Sequence, residues 1–171
     1  MKARPTVRAL PSKRRSLILP RMKRPYERIA ARLETRVGSR EELTRQFLDA
    51  AWDALHSTGV SWIGFYCHQS GEELVLTARR DKPACSPIGL HGVCGQGFLQ
   101  RKPVVVRDVR DLGDNYIACD PRDRSELVIP LFSQDGACWG VLDLDSHDVG
   151  AFDEDDVQAL QELLRIAGLS Q

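Results

Sequence analysis

The feature that most constrains this chain is a pair of apolar runs near its C-terminal end. Residues Glu126–Phe132 and Cys138–Leu144 are separated only by SQDGA. A short connection containing Gly between two runs of this kind closes them as antiparallel strands. A second pair lies upstream, where VSWIGFYC (residues 60–67) and LVLTA (residues 74–78) flank the turn HQSGEE. Two hairpins commit the chain to an antiparallel sheet, and the segments around them supply its cover. Ser39 and Glu42 form an S-x-x-E capping box ahead of a face made by Leu43, Phe47, Ala50, Ala51, Ala54 and Leu55, a helix that stops near Ser57 to Gly59. A weaker helical period runs from Pro25 to Val37 through Ile29, Ala30 and Leu33. The last helix starts at about Asp153, whose side chain suits an N-cap, and buries Val157, Leu160, Leu163, Leu164 and Ala167. Gly92–Gln100 reads as a short helix and Pro103–Arg107 as a strand. The expected fold class is α+β: an antiparallel sheet with helices packed on one face and long loops over a ligand pocket on the other.

The chain of 171 residues, 42% hydrophobic and 28% charged, is long enough for one domain with a hydrophobic core. Its apolar runs are too short to span a bilayer, and no secretory signal is visible, so the expectation is a cytoplasmic protein with no membrane contact. The net charge of zero hides an asymmetry: residues 1–24 carry nine Lys or Arg and no acid. This divides the chain into a basic, disordered arm over residues 1–24 and a domain over residues 25–171. The arm could contact nucleic acid or a membrane surface, or act as a transit-like peptide. It also reads as a tail without function, or as upstream sequence if translation starts at Met22.

The chain holds five cysteines, an odd number that fits reduced thiols. The Cys and His spacings match no common zinc pattern, so neither a metal nor a cofactor is expected. Cys67 and Cys138 lie within strands and read as structural. Cys85, Cys94 and Cys119 fall in the irregular stretches on either side of the Pro103–Arg107 strand, and structureless segments of that length usually carry function. Downstream, Asp143 and Asp145 share one face of their strand with Val141, while Leu142 and Leu144 take the other. That face is either a wet side of the sheet or a pocket floor, where neighbouring carboxylates raise one another's pKa. Glu126 can be read as half of a surface ion pair with an Arg. Trp62 alone is more simply core than pocket wall.

The strings SWIGFY, KPAC, GVCG, IACD, RSE and GVLDLDS, in this order, resemble the free methionine-(R)-sulfoxide reductases, a branch of the GAF-domain fold. The resemblance covers about residues 39 to 168. It implies that the Cys119 thiolate attacks the sulfoxide sulfur, releasing methionine and leaving a sulfenic acid. Cys85 would then resolve it as a disulfide, with Cys94 as an alternative resolver or a pocket residue, and thioredoxin would reduce the bridge. Glu126, Asp143 and Asp145 match acids that bind the substrate and protonate its oxygen, and Trp62 matches an aromatic residue of the pocket. A homodimer is also implied. The chemistry is consistent with this set, since a sulfoxide oxygen leaves only when protonated and an acid must therefore sit near the thiolate. The loop SPIGLHGVC stands where the family has a more basic one. An alternative is a non-catalytic GAF-type module that binds a small ligand as a sensor. A further reading is a redox switch whose basic arm contacts nucleic acid.

Overall fold

The computed structural model of the protein describes residues 24–116 and 119–171. The N-terminal arm up to residue 23, with the roles considered for it, lies outside the described residues. The helices are α1 (Tyr26–Leu33), α2 (Arg40–Leu55), α3 (Val93–Gln100) and α4 (Glu154–Ile166). The strands are β1 (Trp62–His68), β2 (Glu73–Arg80), β3 (Ile88–Gly89), β4 (Val104–Val106), β5 (Ser125–Phe132) and β6 (Cys138–Ser146).

The strands form one sheet in the order β3-β2-β1-β6-β5-β4, antiparallel at every pairing. Both hairpins read from the sequence are therefore neighbours, and β1 joins β6 at the centre. Helix starts follow their local chemistry. Ser39 Oγ accepts from the Glu42 N–H at 3.3 Å while the Glu42 carboxylate accepts from the Ser39 N–H at 2.8 Å, completing the capping box of α2. Asp153 caps α4 by accepting from the N–H groups of Asp155 and Asp156.

Period-two alternation divides the central strands between two cores. Ile63, Phe65, Leu127, Ile129, Leu142 and Leu144 face α1, α2 and α4. On the other face Trp62, Tyr66, Val128 and Val141 form a smaller cluster with Val93 and Cys94 of α3. The helices are thus not all on one side: α3 packs on the loop face, against β4, β5 and β6. This short helix turns what alternation alone left open, a wet face or a floor, into a roofed space.

Arg24, grouped with the basic arm on charge alone, belongs to the folded body. It is 4% exposed and donates to Asp156 at 2.8 Å, to Thr58 Oγ1 and to the Ala151 carbonyl, with its guanidinium over Phe152. Among the described residues no helix is long and apolar enough to cross a membrane.

Candidate active site

The loop face encloses a cavity of about 180 Å³, smaller than the roughly 300 Å³ and above typical of drug-sized ligands and suited to a small metabolite. Its floor is acidic. Glu126 on β5 lies directly across from Asp145 on β6, and Asp143 lies across from Gly64 on β1. Glu126 and Asp143 are 6% and 7% exposed, and Asp145 is half-buried. Like charges placed directly opposite are unfavourable in a sheet, and burial compounds the cost. Burial first, then the Asp143 charge, pushes Glu126 and Asp145 well above the usual carboxylate range. Burial raises Asp143 to about 7, with Asp123 adding to the rise and the adjacent Cys94 thiol opposing it. Asp143 Oδ1 is buried and has no hydrogen-bond partner among the described residues. A cationic donor would satisfy it.

Two aromatic side chains of β1 hold the segment that carries Cys85. Trp62 Nε1 donates to the Lys82 carbonyl at 3.0 Å, and the Tyr66 hydroxyl donates to the Cys85 carbonyl at 2.8 Å. Ser86 Oγ accepts from the Leu76 N–H at 3.0 Å, fixing the far end. The loop of Cys119 is tied to this segment through Asp120. That carboxylate takes the Lys82 ammonium and two hydrogen bonds from the Arg122 guanidinium, at 3.0 and 2.8 Å. Arg122 and then Lys82 hold the Asp120 carboxyl far below the usual range. Cys85 and Cys119 consequently meet at the cavity roof, joined by a disulfide with Cα atoms 5.7 Å apart, within the ordinary span for such bridges. Ile117 and Ala118, which precede Cys119, lie outside the described residues.

Cys94 is not in a loop. It occupies the first turn of α3, is buried and free, and is pressed against Asp143 and Glu126. Burial, followed by those two acids, raises its thiol well above the ordinary value. The start of α3 depends on Gly95, where a Cβ would lie 2.1 Å from the Leu90 carbonyl oxygen. Only glycine permits that approach.

The sequence and the fold are similar to those of known proteins. The GAF domain family model matches residues 38–170. The free methionine-R-sulfoxide reductase of Saccharomyces cerevisiae is 37% identical over 124 residues, 70% of this chain and 68% of that one. The chain belongs to the free methionine-R-sulfoxide reductase family of GAF domains. The crystal structure of the free methionine-R-sulfoxide reductase from Neisseria meningitidis, in complex with its substrate, superposes with a TM-score of 0.75 at 36% identity. That match covers 84% of this chain and 86% of that one. A putative GAF sensor protein from Burkholderia vietnamiensis gives a TM-score of 0.71 at 34% identity, over 83% of this chain and 87% of its own.

Within this reductase-family fold, Cys85, Cys94, Cys119, Glu126, Asp143 and Asp145 all line one cavity. Glu126 is in its floor, so the surface ion pair considered for it is not formed; the neighbouring Arg124 pairs with Asp108 instead. Trp62 is placed differently from the others. Its indole is 2% exposed and lines an adjoining space of about 260 Å³ beneath Pro83 and Ala84, which shares Cys119, Asp123 and Asp145 with the main cavity. The aromatic walls of the main cavity are Tyr66 and Tyr116. Tyr66 was accessible to sequence reasoning, since alternation puts it on the face of Trp62. Asp123 was not. It is a fourth acid of the cavity, raised by burial and then by Asp120, and it comes from the aperiodic loop DPRDRSE.

Proposed function

We propose that this protein reduces free methionine-(R)-sulfoxide to methionine, using Cys119 as nucleophile and Cys85 as resolving thiol. The observation that carries this reading is the Cys85–Cys119 bridge at the roof of a cavity floored by buried acids.

The Cys119 thiolate attacks the sulfoxide sulfur as an acid of the cluster delivers a proton to the departing oxygen. The protonated oxygen passes to the Cys119 sulfur as the substrate S–O bond and the transient S–S bond break, so that methionine leaves and Cys119 becomes a sulfenic acid. Asp143, raised to about 7, is poised to be that acid near neutral pH, and its Oδ1, with no partner among the described residues, offers the substrate ammonium an acceptor. The Cys85 sulfur then attacks the Cys119 sulfur, and the sulfenic hydroxyl leaves as water with the Cys85 proton. A Cys119 thiolate gains a hydrogen bond from the Cys85 N–H, whose nitrogen lies 3.3 Å from Cys119 Sγ. A cavity of about 180 Å³ favours a free amino acid over the same side chain within a polypeptide.

Thioredoxin is the proposed reductant of the bridge, and a cytoplasmic homodimer the proposed assembly. A sensory GAF module would share the fold, as the Burkholderia likeness illustrates, but has no use for a bridge at the cavity roof. The test is NADPH consumption coupled through thioredoxin, on R and S sulfoxides, free and peptide-bound. Turnover confined to the free R form and lost in Cys119→Ser supports the proposal; no turnover by the intact protein contradicts it.

A further inference from the structure

One cluster of the cavity joins two of its acids to a buried thiol, Cys94, that the proposed mechanism does not use. Among the described residues Cys94, Glu126 and Asp143 each offer one ligand atom, all within 4.8 Å of one another, and all three are buried. In addition, Asp143 Oδ1, on a side chain 7% exposed, is buried with no hydrogen-bond partner among the described residues. We propose that Cys94, Glu126 and Asp143 form a binding site for a thiophilic divalent cation of the zinc kind, which competes with the substrate for the cavity.

The donor set selects the class of ion. One sulfur and two carboxylate oxygens suit Zn²⁺ or Cd²⁺, whereas Mg²⁺ and Ca²⁺ take oxygen ligands and gain nothing from a thiol. Zinc bonds of about 2.3 Å to sulfur and about 2.0–2.2 Å to oxygen require tetrahedral ligand atoms roughly 3.5 Å apart. Side-chain torsions of Glu126 and Cys94 cover the remaining approach of up to about 1.3 Å. As the sulfur–metal bond forms, the Cys94 proton leaves to solvent. The ion's double charge reverses the local electrostatics that otherwise keep this thiol protonated. Water supplies the fourth position.

The other candidate cluster is different in kind. Asp120, Asp123 and His147 also lie within 4.8 Å, but Asp120 is already neutralised by Lys82 and Arg122. The Cys94 cluster has no cationic partner among the described residues. Competition follows because the cation and the substrate ammonium claim the same Asp143 oxygen, a part of the argument that rests on the proposed substrate reading of the cavity.

The test uses reduced full-length protein carrying Cys85→Ser and Cys119→Ser, which removes the one thiol pair able to chelate metal at the roof. Titration with Cd²⁺ alone should give thiolate-to-cadmium absorbance at one ion per chain. Adding Cys94→Ser should abolish it, and adding Glu126→Gln should weaken binding about tenfold or more with the thiolate band retained at saturation. Absorbance unchanged by Cys94→Ser, or no absorbance at all, overturns the site. Free methionine sulfoxide should then displace the cation. Binding through Cys94 that the sulfoxide does not affect overturns the competition, and counts against the substrate reading while leaving the metal site standing.

Discussion

Asp143 on β6 lies across from Gly64 on β1, so the acid at the centre of the cavity floor faces a residue without a side chain. The vacancy is filled by the Trp62 indole, which folds back along its own strand: a Cβ at position 64 would lie 2.2 Å from Trp62 Cη2. Gly64→Ala forces that ring away from the Lys82 carbonyl it supports. The expected cost is about 1–3 kcal/mol of stability from overpacking, read from denaturant midpoints, together with a raised KM for the sulfoxide. A neutral Gly64→Ala would mean that the indole is not confined.

The cavity acids should be harmful to stability and needed for function. Asp143 titrates at 3.8 when unfolded and at about 7 when folded, so between those values the native state holds the proton more tightly. Its unfavourable contribution is therefore absent below pH 3.8, grows as pH rises, and is complete above about 7. Asp143→Asn should raise stability at pH 8 by on the order of 1–2 kcal/mol, seen as a higher Tm, and change little at pH 4. The same variant should lose most sulfoxide reduction. A lowered Tm at pH 8 would contradict the assigned environment.

Arg24 and Asp156 present the opposite sign. Burial raises the Asp156 carboxyl, but the Tyr26 hydroxyl and the Arg24 guanidinium outweigh it, leaving a net depression below 3.8. Stability from this pair is present above the unfolded value and disappears as pH falls through the depressed one. Arg24→Met should cost about 3 kcal/mol at neutral pH, because a buried carboxylate loses a hydrogen-bonded countercharge. The Tyr26 hydroxyl, 2.6 Å from Asp156 Oδ1, softens the loss. The penalty should shrink below about pH 4 in chemical denaturation.

The three cavity cysteines should separate by kinetics. Cys85→Ser should still release about one methionine per chain in a burst and then stop, with a sulfenic acid trapped on Cys119. Cys94→Ser should keep forming the bridge, since Cys94 is buried in α3 while Cys85 already touches Cys119. A Cys94→Ser protein unable to close a disulfide would instead make Cys94 the resolver.

The elements that were legible in the sequence are those set by local chemistry. The Ser39–Glu42 box, the Asp153 cap and the two hairpins each rest on contacts within a few residues, and the structure shows them at those positions. Alternation also put Asp143 and Asp145 on one face. Whether that face was wet or roofed depended on α3 and on two loops from elsewhere in the chain, which no periodicity encodes. Strand β3 was hidden for the same reason: Ile88 and Gly89 sit among prolines and become a strand only by pairing with Leu74 and Glu73. Trp62 and Tyr66 share a face and could not be ranked as pocket walls. Gly64 beside them lets the indole turn toward Lys82 while the phenol ring faces the cavity.

The most direct measurement counts thiols in the fully reduced protein before and after a single addition of free methionine-(R)-sulfoxide, with no other reductant present. The account expects the five alkylatable cysteines to become three, one methionine to be released per chain, and a Cys85–Cys119 linked peptide to appear on mass analysis. Five thiols retained after exposure to the sulfoxide would contradict it and leave a ligand-binding GAF domain.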